Sequence, residues 1–156
     1  MTSRLERGGR LIALTPIGYQ FGDPVRADVG TGNSKWLNIR VEASDGSRSW
    51  ERVDACFSDW EMFGLVRWLR GVGSSQYGEA TFEGLEPSLQ FNAVWSDGLI
   101  HLSSEFRLEM HPDWSREARP LDVTVVRFLE LTRSDLDRFA DEIAADLRRF
   151  PEPRGP

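Results

Sequence analysis

The stretch Trp36-Leu37-Asn38-Ile39-Arg40-Val41-Glu42-Ala43, followed by Ser44-Asp45-Gly46-Ser47, constrains the fold more than any other part of the chain. Leu37, Ile39 and Val41 recur at every second position, with Asn38, Arg40 and Glu42 between them. That period belongs to a strand with one face buried and the other in water. Asp-Gly accepts the positive φ values of a tight turn, so residues 48–57 are expected to return as the partner strand, with Val53, Ala55 and Phe57 on its apolar face.

Around this hairpin the remaining elements fall into order. Residues 11–19 read as a first strand broken at Pro16, and residues 22–34, rich in Gly, Asp, Thr and Asn, as a surface loop. Ser58 and Glu61 have capping-box spacing, and Met62, Leu65, Val66 and Leu69 follow at helical spacing. This predicts a helix from Ser58 that stops at Gly71. A meander comes next: residues 79–82, residues 88–95, a Ser96-Asp97-Gly98 turn, and residues 99–110 with Ile100, Leu102, Phe106 and Leu108 inward. Residues 121–131 carry apolar side chains on both faces, which predicts a central strand covered by a helix. Thr132 then caps a last helix whose stripe is Leu136, Phe139, Ala140, Ile143, Leu147 and Phe150, and Pro151 stops it.

The expected fold class is α+β: an antiparallel sheet of about six strands with two helices packed on it, one mid-chain and one C-terminal. At 156 residues, 40% hydrophobic and 28% charged, the chain is expected to form a single domain with an ordered core over about residues 11–150.

Charge and cysteine usage narrow the function. Twenty-five acidic against 19 basic residues give a net charge of −6, which argues against direct binding of nucleic acid. Such a charge keeps a small protein soluble and also attracts basic partners. Cys56 is the only cysteine, so neither an intrachain disulfide nor a thiolate metal cluster is available, and a reducing cytoplasm is the natural compartment. Residues 1–10 are polar and do not read as a signal peptide, and no apolar run approaches the length of a membrane span.

The chemistry-bearing residues are few. His101 shares a polar strand face with Ser103, Glu105 and Arg107, where a His and a Glu could act as acid and base or as metal ligands. A water-facing strand has the same composition without any such role. His111-Pro112-Asp113-Trp114 sits in a loop, which reads either as a functional loop or as a turn whose Asp caps the backbone. No serine lies in a Gly-x-Ser-x-Gly elbow, and Gly71-Val72-Gly73 lacks the Lys-Ser/Thr of a phosphate loop. Asp135, Asp137, Asp141, Glu142 and Asp146 read as the solvated side of the last helix. No catalytic, metal or cofactor residue is identified, and no cofactor is expected.

Six tryptophans stand out: Trp36, Trp50, Trp60, Trp68, Trp95 and Trp114. Trp36 and Trp50 are out of phase with the apolar residues of their strands, and Trp60 and Trp68 flank the helix stripe. A second small core or a protein interface would each account for them. The candidates for contact with a partner are therefore Trp36, Trp50, His101, Glu105, His111, Asp113 and Trp114.

The string Ser34-Lys35-Trp36-Leu37-Asn38-Ile39-Arg40-Val41, the turn Ser44-Asp45-Gly46 and residues 50–57 before a Trp/Leu-rich helix resemble the WapI-type immunity proteins. Glu86-Pro87-Ser88-Leu89-Gln90-Phe91 and the final helix closing in Arg148-Arg149-Phe150-Pro151 do so too, and the resemblance extends to a related group of bacterial domains of unknown function. The resemblance spans about residues 11–151 and rests on strands and aromatics. It implies a cytoplasmic protein that binds and neutralises a toxin domain delivered between competing bacteria, without turnover. Such toxins are often nucleases, whose basic groove an acidic inhibitor would complement. A small ligand-binding or enzymatic module using the face around His101 and Glu105 stays open beside this, as does a stand-alone interaction domain.

Overall fold

The computed structural model describes residues 2–22, 36–75, 78–117 and 122–150. The predicted loop at 22–34 falls almost wholly outside these ranges, as do residue 121 of the last predicted strand and Pro151. The first sheet begins in the polar terminus, for which the sequence predicts no strand. Strand β1 (Ser3–Arg7) pairs antiparallel with β2 (Arg10–Tyr19) through Gly8 and Gly9, whose φ values of 59° and 75° allow a two-residue turn. In β1 only Leu5 is a buried apolar residue, joined by buried Ser3, so the strand carries almost no apolar signal. Pro16 does not break β2. A register shift between Pro16 and Gly18 absorbs it as a bulge, and pairing continues to Tyr19.

Strands β3 (Trp36–Ser44) and β4 (Ser49–Ser58) form the expected hairpin, and the sheet order is β1-β2-β3-β4. The inward phase of β4 differs from the expected one. Ala43 faces Trp50 and Val41 faces Arg52, but Leu37 faces Phe57, with a bulge in between. The extra residue switches the inward set from even to odd numbers. Phe57 is buried as expected, whereas Val53, expected to face inward, is 50% exposed.

Helix α1 (Asp59–Ser74) starts with the predicted box: Ser58 Oγ accepts from Glu61 N, and Glu61 Oε2 accepts from Ser58 N. It runs past Gly71, the predicted stop. Val72 continues the buried stripe of Leu65 and Leu69, and its burial holds the last turn in place.

The second sheet has the order β5-β6-β7-β8, from β5 (Glu79–Glu83), β6 (Leu89–Ser96), β7 (Leu99–Phe106) and β8 (Thr124–Leu131). Strand β7 ends four residues before the predicted bound, in a 3-10 turn (Leu108–Met110) that opens at Leu108 with φ 46°. Strand β8 lies at the sheet edge and not at its centre. Its buried residues are Val126, Phe128 and Leu131, while Val123 just before it and Leu129 are exposed. Apolar residues on both faces of β8 therefore signal an exposed outer face here. Helix α2 (Arg133–Leu147) has a capping box between Thr132 and Asp135, and its predicted stripe is buried throughout.

The class is α+β as expected, with eight strands in two four-stranded sheets in place of one sheet of about six. One cluster of buried side chains draws on both sheets and both helices. Helices α1 and α2 pack against each other, α2 lies on β1 and β2, and α1 lies on β4 and β5.

Candidate partner-binding face

The seven residues singled out from the sequence fall in three places. Trp50, His111, Asp113 and Trp114 meet where the β3–β4 hairpin reaches the loop after β7. The His111 ring is 4% exposed. Its Nδ1 accepts from Asp113 N at 3.0 Å, which leaves the ring proton on Nε2, 3.1 Å from Thr124 Oγ1. Arg52 Nε and Nη2 donate to the carbonyls of His111 and Pro112. Arg48 reaches across to Asp113 at 3.3 Å and to Thr124 Oγ1 at 3.3 Å. With both ring nitrogens and two carbonyls engaged, this loop is fixed in place by internal bonds, and His111 works as its anchor.

His101 and Glu105 lie on the outer face of β7. Four residues of strand separate them by ~13 Å, too far for a shared proton or a shared metal. His101 Nδ1 accepts from Glu130 N at 3.4 Å. Glu105 accepts from Arg107 and, at 3.2 Å, from Asn92 Nδ2, and the chain of bonds runs on to Gln90 and Thr81. Among the described residues, one cleft opens on α2 around Asp137 and Asp141 and another between Arg7 and Arg127, and His101 and Glu105 line neither of these two.

Trp36 stands at the third place, the N-terminus of α1. It pairs with Ser58, the cap residue, and its carbonyl accepts from Gln20 N at 2.8 Å. Phe21 follows Gln20 and is 87% exposed. Trp60, in the first turn of α1, is 48% exposed, with the Arg67 guanidinium 5.4 Å from its ring centre. Leu85 is 77% exposed and is tied to the same turn, its N–H donating to Glu61 Oε1. The segments that carry Phe21, Trp36 and Leu85 are thus linked by backbone pairing and hydrogen bonds to the helix end that carries Trp60. Phe21 and Leu85 were missed from the sequence. The signal in reach was a lone leucine inside the turn Gly84-Leu85-Glu86-Pro87, where burial has nothing to offer.

The other tryptophans resolve between core and surface. Trp50 packs on Phe106, Trp68 on Phe82 with centroids 6.0 Å apart, and Trp95 Nε1 donates to the Val72 carbonyl at 3.2 Å. Trp36 and Trp114 are half-buried.

Carboxylates flank this face. Burial raises the Asp54 carboxyl above its ordinary range, and the nearby charges of Glu109 and Glu86 push in the same direction. Asp59 is 3% exposed, and its Oδ1 accepts from Trp60 N at 2.7 Å. Burial pushes the Cys56 thiol far up, so it is no nucleophile. Among the described residues no group of three or more His, Cys, Asp or Glu side chains could hold a metal ion, and no helix is long and apolar enough to cross a membrane.

No curated protein and no solved structure matches the chain. A family model, the immunity protein WapI-like family, matches residues 4–151.

Proposed function

The chain belongs to the WapI-like immunity protein family, and from that premise we propose that it acts in the cytoplasm by binding and occluding a cognate toxin domain, without turnover. The observation that carries the reading is the exposed apolar set at the α1 N-terminus, Phe21, Trp60 and Leu85 with Trp36 beside them. Exposed aromatic anchors framed by charge are what a specific protein interface is built from. Acidic residues lie close by in the chain: Glu86 follows Leu85, and Glu86 and Glu109 both act on the half-buried Asp54 carboxyl. A basic partner would relieve that repulsion, and a nuclease with a basic substrate groove has the matching chemistry. Occlusion of such a groove needs no catalytic group on the inhibitor.

The gene beside this one is expected to encode a large secreted protein with a variable C-terminal toxin domain. Co-expression of that domain with the chain should spare the cells, and Trp60→Ala should weaken protection. Housekeeping genes at that position, or a toxin that kills equally with and without the chain, would defeat the proposal.

A further inference from the structure

We propose that the cleft between the β1–β2 turn and the β8 edge binds a carboxylate-bearing segment of a protein partner. Arg7, Gly8 and Arg10 line it on one side, and Arg127, Leu129 and Glu130 on the other, around about 280 Å³. Arg7 is already engaged: its Nη2 donates to the Glu130 carbonyl at 2.8 Å and to Asp135 Oδ2 at 3.2 Å. Those bonds hold the turn against β8 and so shape the cleft. The side chains of Arg10 and Arg127 make no hydrogen bond or ion pair with any described residue. Other arginines do find partners: Arg4 pairs with Glu6, Arg70 with Asp141 and Arg133 with Asp137, while Arg52 donates to carbonyls and Arg67 lies over the Trp60 ring. Two unpaired guanidinium groups in one cleft depart from that habit.

The charges decide the class of ligand. Glu130 is the one carboxylate in the lining, and Asp135 offsets Arg7, so positive charge remains locally in a molecule of net charge −6. Guanidinium forks match the planar, two-oxygen geometry of a carboxylate. They would also accept phosphate, but Leu129, 52% exposed, adds apolar contact beside them that a free phosphate cannot use. Nucleic acid needs a longer basic track than this one cleft on an acidic surface provides. An acidic side chain with an apolar neighbour satisfies both parts of the lining.

The assignment goes beyond the immunity reading and holds for any protein partner. Arg10 opens β2 and Tyr19 closes it, which puts this cleft ~30 Å along the strand from the α1 face.

The test is fluorescence anisotropy at low salt with a labelled hexapeptide alternating glutamate and leucine. The native chain and Arg149→Gln, a charge control outside the cleft, are expected to bind it. The double variant Arg10→Gln/Arg127→Gln, with an unchanged melting curve, is expected to bind at least about tenfold more weakly. Orthophosphate should displace the peptide only at far higher concentration. Absence of binding to the native chain, equal binding by the double variant, or displacement by orthophosphate or a short single-stranded oligonucleotide at peptide-like concentration overturns the proposal. None of these outcomes depends on a toxin or on Trp60, so failure here is distinct from failure of the immunity reading.

Discussion

The indole of Trp50 meets the ring of Phe106 edge to face, with centroids 5.1 Å apart and planes at 83°, and the two residues belong to different sheets. This contact joins the first sheet to the second, and the neighbouring residues Arg48 and Arg52 bond to the His111 loop. Edge-to-face pairs add about 0.5–1.5 kcal/mol beyond the area they bury. Trp50→Ala should cost about 3 kcal/mol in urea unfolding, and Trp50→Phe well under half of that. Equal, small losses for both would remove Trp50 from the sheet-to-sheet junction.

Gly84 has no room for a side chain. A Cβ there would lie 2.8 Å from two carbons of the buried Phe57 ring and 3.1 Å from Glu61 Oε1. Gly84→Ala should destabilise by about 1–3 kcal/mol, as overpacking does, and Phe57→Leu in the same chain should recover part of the loss. Thermal unfolding of the single and double variants checks this.

Ser104 occupies the inward phase of β7 between Leu102 and Phe106, fully buried, with no hydrogen-bond partner for its hydroxyl among the described residues. Removing an unsatisfied buried hydroxyl relieves its desolvation cost, so Ser104→Ala should leave stability unchanged or raise it by up to about 1 kcal/mol. A loss above that would mean the hydroxyl has an acceptor.

Two carboxylates give opposite pH dependence. The backbone N–H groups of Arg48 and Ser47 hold Asp45 down at about 2 from 3.8. Its contribution is present above the unfolded value and is lost as pH falls between roughly 4 and 2. Asp54 is raised, chiefly by burial and then by Glu109 and Glu86. Its contribution is greatest below the unfolded value and is lost as pH rises through the folded one. Asp45→Ala should therefore lower the melting temperature at about pH 7 and lose that effect near about pH 2, whereas Asp54→Asn should raise it at about pH 7 and do little near about pH 3.

Trp60 contributes exposed area and little to the core, so Trp60→Ala should change stability by less than about 0.5 kcal/mol. If its ring is an anchor, the same change should weaken complex formation at least about tenfold. Loss of both properties together would make Trp60 a structural residue.

The helix caps at Ser58 and Thr132, the stripe of α2 and the Asp45-Gly46 hairpin were legible because each is set by neighbours close in sequence. What the sequence hid depends on long-range pairing. β1 has one buried apolar side chain and becomes a strand because β2 and α2 cover it: Arg4 N donates to Glu142 Oε2 at 2.8 Å and Ser3 Oγ to Asp146 Oδ2 at 2.8 Å. The bulge in β4 reversed the phase that put Val53 inside, and no local signal marks an extra residue in a ladder. The place of β8 at an edge follows from which strands pair, which periodicity does not encode. Among the candidate residues, Trp50 and His111 carry the types expected of function, yet their partners Phe106 and Thr124 use them for structure. The apolar residues left in water, Phe21 and Leu85, were overlooked because burial cannot be read from type alone.

The most direct measurement is size-exclusion chromatography with light scattering on the chain mixed with the toxin domain proposed to lie beside its gene, alongside an assay of that domain's activity. The account predicts a stable complex of defined stoichiometry, a silenced toxin, and loss of both with Trp60→Ala at unchanged melting temperature. Separate elution of two folded proteins, with the toxin fully active at excess of the chain, would contradict it.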